Sequence, residues 1–148
     1  MRQPYQVLIF PYKKEKEKIV YAIFLREDLK VWQGIAGGVE ENETPLLAAK
    51  RESLEEANIS KNAKFITLDS YTTMPVVNVA GKFAWGKDIF LIKEFSYGVN
   101  AQNEKIKISD EHIKYEWLSY EKAIKKLKWD SNKSALWELN ERLIKEKE

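Results

Sequence analysis

The segment from Gly37 to Ile59 constrains the fold of this chain more than any other part of the sequence. Thr44 offers a hydroxyl N-cap, and Pro45 suits the first position of a helix. The following residues are mostly strong helix formers, and Asn58 suits a helix end because asparagine tolerates the left-handed conformation. The segment therefore predicts a helix over Thr44–Ala57, about four turns long.

Three carboxylates share one face of that helix. Glu52, Glu55 and Glu56 stand at positions i, i+3 and i+4, toward the end where the helix dipole disfavours anions. Arg51 beside them supplies a single positive charge. A solvated acidic face is the ordinary interpretation of such a pattern. A bound divalent cation is the alternative, because Mg²⁺ takes oxygen ligands.

The whole segment resembles the Nudix box, a pattern written G-x5-E-x7-R-E-U-x-E-E-x-G-U, where U is a bulky apolar residue. The matching residues are Gly37, Glu43, Arg51, Glu52, Glu55, Glu56 and Ile59. Two uncharged positions depart from the pattern: Ser53 stands at the first U, and Asn58 replaces the second glycine. A match at every charged position is a specific signal and favours metal binding over a solvated face.

The resemblance to the Nudix family implies an α/β fold, the Nudix α/β/α sandwich with a mixed β-sheet between helices. It also implies a hydrolase of phosphoric anhydrides that uses Mg²⁺ or Mn²⁺. The implied metal ligands in the box are Glu52, Glu55 and Glu56. Glu52, Glu55 and Arg51 are implied in catalysis, with Arg51 orienting the Glu52 carboxylate. Gly37, Glu43 and Asn58 are then structural residues of the box, and Glu43 fixes Arg51.

A second resemblance lies in the C-terminal half. Glu-His-x-x-Tyr-x-Trp-Leu at Glu111–Leu118 and Trp-Asp-Ser-Asn-Lys-x-Ala-Leu at Trp129–Leu136 are similar to one bacterial branch. That branch contains dATP pyrophosphohydrolases and dihydroneopterin triphosphate pyrophosphatases. It implies a further metal ligand at Glu111, which would otherwise be a surface carboxylate. The adjacent His112 could polarise a phosphate or be structural.

The same branch implies substrate contacts from Arg26, from the backbone of Ala36 and from Trp129. Trp32, shortly before the box, could stack on a base or pack against the core. Met74–Ala84 contains proline and glycine and is predicted to be an irregular loop beside the substrate.

Strands are predicted at Tyr5–Tyr12, Ile19–Leu25, Lys64–Thr72, Asp88–Phe95 and around Tyr115 and Trp117. The strand at Asp88–Phe95 is expected to be buried. Ile106 and Ile108 alternate with lysines, which indicates an edge strand. Ser119 is expected to cap a helix over Tyr120–Leu127. The last helix begins at Asp130 or Ser131, with Ala135, Leu136, Leu139, Leu143 and Ile144 on its inner face.

Composition limits the remaining classes. A length of 148 residues indicates one domain, residues 1–148. With 25 basic and 23 acidic side chains there is no global field for nucleic acid or membrane, so neither is expected as a partner. Cysteine is absent, which excludes disulfides. No apolar run is long enough to cross a bilayer and no signal peptide is visible, so we expect a cytoplasmic protein. Separately, we expect a monomer or a small homo-oligomer.

These observations together predict a pyrophosphohydrolase that cleaves a nucleoside triphosphate, or a nucleotide-like triphosphate, to a monophosphate and pyrophosphate. The substrate is of the dATP or dihydroneopterin triphosphate type. One alternative is a broad house-cleaning hydrolase of oxidised nucleotides or dinucleoside polyphosphates. An alternative of another class is a non-catalytic nucleotide sensor, although such domains usually lose box carboxylates that this chain keeps.

Overall fold

The computed structural model describes residues 2–146 and contains one sheet of seven strands with four helices. In chain order the elements are β1 (Arg2–Glu15), β2 (Lys18–Arg26), β3 (Trp32–Gln33), β4 (Ile35–Glu40), α1 (Pro45–Ala57), β5 (Phe65–Pro75), α2 (Val76–Ala80), β6 (Leu91–Asn100), β7 (His112–Leu118), α3 (Tyr120–Lys126) and α4 (Asp130–Glu146). No helix in this range is long and apolar enough to cross a membrane.

Strand β1 lies at the centre of the sheet. It pairs antiparallel with β2 near its C-terminal end and antiparallel with β4 along its N-terminal half. On its other side it pairs in parallel with β6, and β5 closes that edge. Strands β3 and β7 pair with β2. The sheet is therefore mixed, as the sequence predicted.

The two faces of the sheet carry separate hydrophobic cores. Successive residues of a strand point to opposite faces, so Val7 and Ile9 pack with Ala48 and Ala49 of α1. Leu8 and Phe10 pack on the other face with the inner residues of α4. We call these the α1 face and the α4 face. Helices on both sides of one mixed sheet confirm the predicted α/β/α sandwich.

Strand β6 differs from its prediction. The expected buried strand over Asp88–Phe95 is wrong at both ends, since β6 runs from Leu91 to Asn100. Ile89 and Phe90 precede it, and Phe90 is 62% exposed. The parallel ladder with β1 sets the strand's position, and that pairing continues to Asn100. A local apolar run cannot reveal this register.

Two further expectations are corrected. Ile106 and Ile108 form no strand among the described residues; instead Ile106 packs in the α1-face core, and the Lys107 backbone N–H donates to the Ala57 carbonyl at 3.1 Å. This segment crosses the end of α1 and does not reach a sheet edge. The expected loop at Met74–Ala84 contains the short helix α2.

The last helix has the predicted start at Asp130. Its inner face is confirmed for Ala135, Leu136, Leu139 and Leu143, which are all buried. Ile144 was also expected there and is 42% exposed. One residue beyond Leu143 is a rotation of about 100° around the helix, which turns Ile144 away from the sheet.

Candidate active site

Helix α1 begins and ends at the residues that the sequence indicated. The Thr44 side chain accepts a hydrogen bond from the Leu47 N–H, and Pro45 occupies the first turn. Asn58 adopts the left-handed conformation, with φ of 58°, and its N–H donates to the Leu54 carbonyl. These caps fix where the helix begins and ends, and burial of Ala48, Ala49 and Ala57 against the sheet sets which face its glutamates present.

The three glutamates of the helix form one cluster. Glu52, Glu55 and Glu56 each offer a carboxylate oxygen, and these oxygens all lie within 4.8 Å of one another. Glu52 and Glu56 are buried, while Glu55 is exposed. Three closely spaced carboxylates repel each other without a counter-charge, and they match the oxygen ligands that hard divalent cations prefer.

Arg51 holds this cluster from one side. Its guanidinium makes a two-point contact with the Glu43 carboxylate, at 2.7 and 3.0 Å. It also donates to Oε1 of Glu52 at 2.8 Å and to the Gly38 carbonyl at 2.8 Å. A planar guanidinium fixed at several points has little freedom to rotate. Arg51 therefore sets the position of the Glu52 carboxylate, with Glu43 as its anchor.

Gly37 allows Glu52 to pack against strand β4. A Cβ atom at Gly37 would overlap the carboxyl group of Glu52. The first glycine of the segment is thus required by close approach of a carboxylate, because any side chain would displace it.

The pKa of the Glu52 carboxyl differs from its ordinary value. Burial raises the pKa of Glu52 to about 7, although the hydrogen bond from Arg51 opposes that increase. The same guanidinium holds the pKa of Glu43 below its usual range. Glu43 therefore acts as a permanent anion beside Arg51, whereas Glu52 can gain or lose a proton near neutral pH.

Glu111 comes to this cluster from the loop before β7. Burial raises its pKa, and charge repulsion from the neighbouring Glu56 raises it further. Glu111 is not among the three residues whose oxygens all lie within 4.8 Å of one another. It contacts the cluster through Glu56.

The comparison with protein families identifies the chain. The model of the NUDIX domain matches residues 3–137, which is most of the sequence and includes the whole carboxylate cluster. This chain belongs to the Nudix family. Its members are hydrolases of phosphoric anhydrides, and this chain is accordingly a Nudix hydrolase.

Relatives of this Nudix hydrolase cover nearly its full length. A crystal structure described as a NUDIX hydrolase from Listeria monocytogenes str. 4b F2365 is 38% identical, with a TM-score of 0.88 and 97% of both chains covered. Dihydroneopterin triphosphate diphosphatase of Escherichia coli K12 is 28% identical over 139 residues, covering 91% of each chain. Ap4A hydrolase of C. elegans shares the fold, at 24% identity and a TM-score of 0.70, with 95% of this chain and 97% of that one covered.

Ser109 joins the site although nothing in the sequence marked it. Its hydroxyl donates to Oε2 of Glu56 at 2.7 Å and accepts from the Glu111 N–H at 3.3 Å. It therefore links the Nudix helix to the loop that carries Glu111. A serine in a polar loop matches no spacing rule, and the only available signal was its position two residues before Glu111.

His112 lies beside the same carboxylate. Its Nδ1 atom is 3.5 Å from Oε2 of Glu56 and has no hydrogen-bond partner among residues 2–146. The ring is buried and packs against Phe24 with 5.2 Å between centroids. Burial lowers the pKa of His112 and so favours the neutral ring. These contacts support the structural alternative for this histidine.

The three expected substrate contacts lie in different surroundings. Arg26 pairs with Asp28, and the adjacent Glu27 N–H donates to the Glu111 carbonyl at 3.0 Å. Ala36 is partly exposed and directly precedes Gly37. Arg26 and Ala36 are thus next to residues of the site.

Trp129 stands apart from the carboxylates. It lies before α4, where its indole N–H donates to Oε1 of Gln33 at 3.0 Å. The described contacts join Trp129 to β3 and not to the carboxylate cluster. Trp32 in the same strand packs against the α4-face core, which supports the packing alternative for that side chain.

Proposed function

We propose that this Nudix hydrolase cleaves a nucleoside triphosphate, or a nucleotide-like triphosphate, to a monophosphate and pyrophosphate. The observation that carries the proposal is the cluster of Glu52, Glu55 and Glu56, with Glu111 against Glu56 and Arg51 fixed by Glu43. This arrangement provides several anionic oxygen ligands in a confined space, which suits a divalent cation.

The donor set fits Mg²⁺ or Mn²⁺ as the cofactor. Glu52, Glu56 and Glu111 would hold the ion, and Glu55, which is more exposed, would hold a second ion or a bound water. An ion held by these residues would supply positive charge against the phosphates and a bound water.

The protein's own groups have distinct tasks in this proposal. Arg51 keeps the Glu52 carboxylate in one orientation, as its hydrogen bond at 2.8 Å supports. Glu52 has a pKa of about 7 and can accept a proton from water near neutral pH. Ser109 keeps the Glu111 loop against Glu56. A base role for Glu52 is therefore part of the proposal.

The substrate is proposed from the relatives. Similarity to dihydroneopterin triphosphate diphosphatase supports a triphosphate of the dATP or dihydroneopterin triphosphate type. Arg26, Ala36 and Trp129 are proposed to contact it. Oxidised nucleotides and dinucleoside polyphosphates are the alternative substrates to test beside it. The single domain over residues 1–148, the monomeric or small oligomeric state and the cytoplasmic location stay predictions of the sequence.

A substrate panel tests the proposal. Dihydroneopterin triphosphate, dATP, 8-oxo-dGTP and diadenosine tetraphosphate are each incubated with Mg²⁺ or Mn²⁺, and pyrophosphate and orthophosphate are measured. We expect pyrophosphate and a monophosphate from the triphosphates. Orthophosphate as the main product, or no hydrolysis of any member, contradicts the proposal. The second outcome would favour a sensor function.

Glu56→Gln is the matched loss-of-function variant in that panel. It should abolish most Mn²⁺ binding in calorimetry and lower turnover by several orders of magnitude, because an essential metal stabilises the transition state by several kcal/mol. Glu121→Gln, an exposed glutamate of α3, is the control and should behave as the parent. Unchanged Mn²⁺ affinity and turnover in Glu56→Gln would refute the metal assignment.

A further inference from the structure

A short turn before β7 approaches the Glu56 carboxylate with three of its four residues. The Ser109 hydroxyl lies 2.7 Å from Oε2 of Glu56, and Nδ1 of His112 lies 3.5 Å from the same oxygen. Glu111, between them, is close enough for charge repulsion from Glu56 to raise its pKa. The His112 N–H donates to the Ser109 carbonyl at 3.2 Å and closes the turn. We call residues 109–112 the Glu56 turn.

The path of the chain through this region is fixed independently of Ser109. Before the turn, Ile106 packs in the α1-face core and the Lys107 N–H donates to the last carbonyl of α1 at 3.1 Å. At its other end, the Glu111 carbonyl accepts from the Glu27 N–H at 3.0 Å. The segment is therefore held across the end of α1 by contacts that a change at Ser109 leaves in place.

The Ser109 hydroxyl uses both of its hydrogen-bonding capacities on proposed metal ligands. It donates its proton to the Glu56 carboxylate, and its oxygen accepts from the Glu111 N–H at 3.3 Å. A hydrogen bond to a charged acceptor is stronger than one between neutral groups. One side chain thus contacts the carboxylate of one ligand and the backbone of the other.

This contact acts against a repulsion. Glu56 and Glu111 repel each other when both are ionised, so without a counter-charge the turn gains energy by moving Glu111 away. The backbone contact from Glu27 leads to β2, whereas the contact from Ser109 leads to α1 and Glu56. A site whose ligands are already in place loses less freedom when the ion binds.

We propose that Ser109 is a positioning residue for the divalent cation. Its hydroxyl holds Glu56 and Glu111 next to each other before the ion binds, so Ser109 sets the affinity for the ion and not the rate of hydrolysis in the loaded enzyme. The inference rests on the metal assignment of the proposed function. It adds a residue that lies outside the Nudix box and belongs to neither set of resembling residues.

Titration of the apo protein with Mn²⁺ in a calorimeter is the first test. Ser109→Ala should lower the Mn²⁺ affinity by about tenfold or more, as is usual when a metal ligand loses its hydrogen-bonding partner. Ser109→Thr keeps a hydroxyl and Ser109→Val replaces it by a methyl group of similar size. We expect the threonine variant to bind Mn²⁺ at least about tenfold more tightly than the valine variant.

Ser119→Ala is the control for a loss of stability alone. The Ser119 hydroxyl caps α3 by accepting from the Lys122 N–H, and α3 is remote from the carboxylate cluster in the chain and in its described contacts. Its removal should lower the melting temperature by about 2–4 °C and leave the Mn²⁺ affinity unchanged. A hydroxyl at position 109 that only stabilised the fold would behave in the same way.

The dependence of hydrolysis on Mg²⁺ separates positioning from ligation. In Ser109→Ala all carboxylates are still present, so the Mg²⁺ concentration for half-maximal turnover should rise by about tenfold while kcat recovers at saturating Mg²⁺. Glu56→Gln lacks a ligand, and its kcat should stay low at every Mg²⁺ concentration. A kcat of Ser109→Ala that stays low at saturating Mg²⁺ would contradict the proposed role.

A double-mutant cycle tests whether Ser109 acts through Glu111. In the Glu111→Gln background the repulsion is gone, so Ser109→Ala should lower the Mn²⁺ affinity much less than it does in the parent. Additive losses would show that Ser109 acts on Glu56 alone and would overturn the coupling of the two ligands.

The outcomes distinguish this inference from the proposed function. If the parent binds Mn²⁺ and Ser109→Ala binds it equally well, the inference is overturned and the metal assignment stands. If Ser109→Ala does not fold, equal affinities of the threonine and valine variants overturn it instead. A parent that binds no Mn²⁺ overturns the metal assignment itself, and with it both the proposed function and this inference.

Discussion

Two carboxylates that repel each other in this enzyme come from distant parts of the chain. Glu56 belongs to α1, whereas Glu111 belongs to the loop before β7. Ser109, which is 53 positions after Glu56, donates to the Glu56 carboxylate and accepts from the backbone N–H of Glu111. Repulsion between Glu56 and Glu111 raises the pKa of Glu111. Such a pair is unfavourable alone and favourable around a cation, so each carboxylate should be more important for metal binding than for the apo fold.

Glu111→Gln tests this division of roles. The amide keeps the size of the side chain and removes its charge. We expect apo stability equal to that of the parent or slightly higher, weaker Mg²⁺ binding and a loss of turnover of at least about tenfold. Thermal unfolding with a chelator and pyrophosphate release with limiting Mg²⁺ measure the two effects.

The adjacent Asp110→Asn is the control, because Asp110 is exposed and outside the cluster. Parent-like turnover of Glu111→Gln at limiting Mg²⁺ would show that Glu111 is only a surface carboxylate. Turnover lost together with apo stability would instead indicate a structural role.

Single residues differ in how far the sequence predicts them. Glu52, Glu55 and Glu56 were predictable as a cluster because the helix repeat fixes their spacing. Ser53 is a residue that the pattern does not predict, because it stands at a position where the pattern has an apolar residue. It is fully buried, and its hydroxyl has no partner among residues 2–146. The position of Ser109 in the site depends on the conformation of the loop before β7, which no local sequence pattern encodes.

At the scale of elements, α1 is the part of the fold that local sequence specifies best. Thr44, Pro45 and Asn58 mark both ends, and the structure has the helix between them. Asn58 takes the place of a glycine in the Nudix pattern and keeps the left-handed turn, with φ of 58°. The position therefore requires a backbone conformation more than a particular side chain.

Substitution of Asn58 separates backbone conformation from side-chain contacts. Asn58→Gly should be neutral or mildly stabilising, because glycine adopts the left-handed conformation without strain. Asn58→Val should lower the free energy of unfolding by about 1–2 kcal/mol, since a β-branched residue is strained there. Urea unfolding of both variants provides the comparison, and equal stabilities would contradict the assigned role.

The strands show why other elements were harder to predict. The apolar run at Ile89–Leu91 looks like the start of a buried strand, but it precedes the ladder that β1 imposes on β6. Around Ile106, isoleucines alternate with lysines, as they would in an edge strand. In the structure this segment instead packs over the end of α1. In each case pairing between distant segments decides the outcome.

For the whole molecule, charge is nearly balanced at +2, yet several carboxyls are buried on or near the sheet. Burial raises the pKa of Glu52, of Glu94 and of Glu111 above the values they have in the unfolded chain. Folding therefore retains protons on these groups at a pH where the unfolded chain has released them. Without metal, these three carboxyls should favour the fold in mild acid over mild base, while the lowered pKa of His112 acts in the opposite direction.

Glu52 provides the measurable case. Its pKa in the folded state is about 7, above its ordinary value, so its stabilising contribution is complete in acid and is lost as pH rises through about 7. The loss attributable to this group is up to about 3 kcal/mol. Urea unfolding with a chelator between pH 5 and pH 8 should show apo stability falling with pH. Glu52→Gln should fall less, and parallel curves for both proteins would contradict the prediction.

The parallel pairing of β1 with β6 has a consequence for the order in which this enzyme can fold. Gln6 and Glu94, which that ladder joins, are 88 positions apart in the chain. Bringing such distant segments together costs loop entropy before any contact repays it, and topologies of this kind fold slowly. Helix α1 can form early from local signals, whereas Glu111 reaches Glu56 only when a distant loop has packed against that helix. A divalent cation should therefore bind the folded chain more tightly than a peptide of α1 alone, because the isolated helix lacks Glu111.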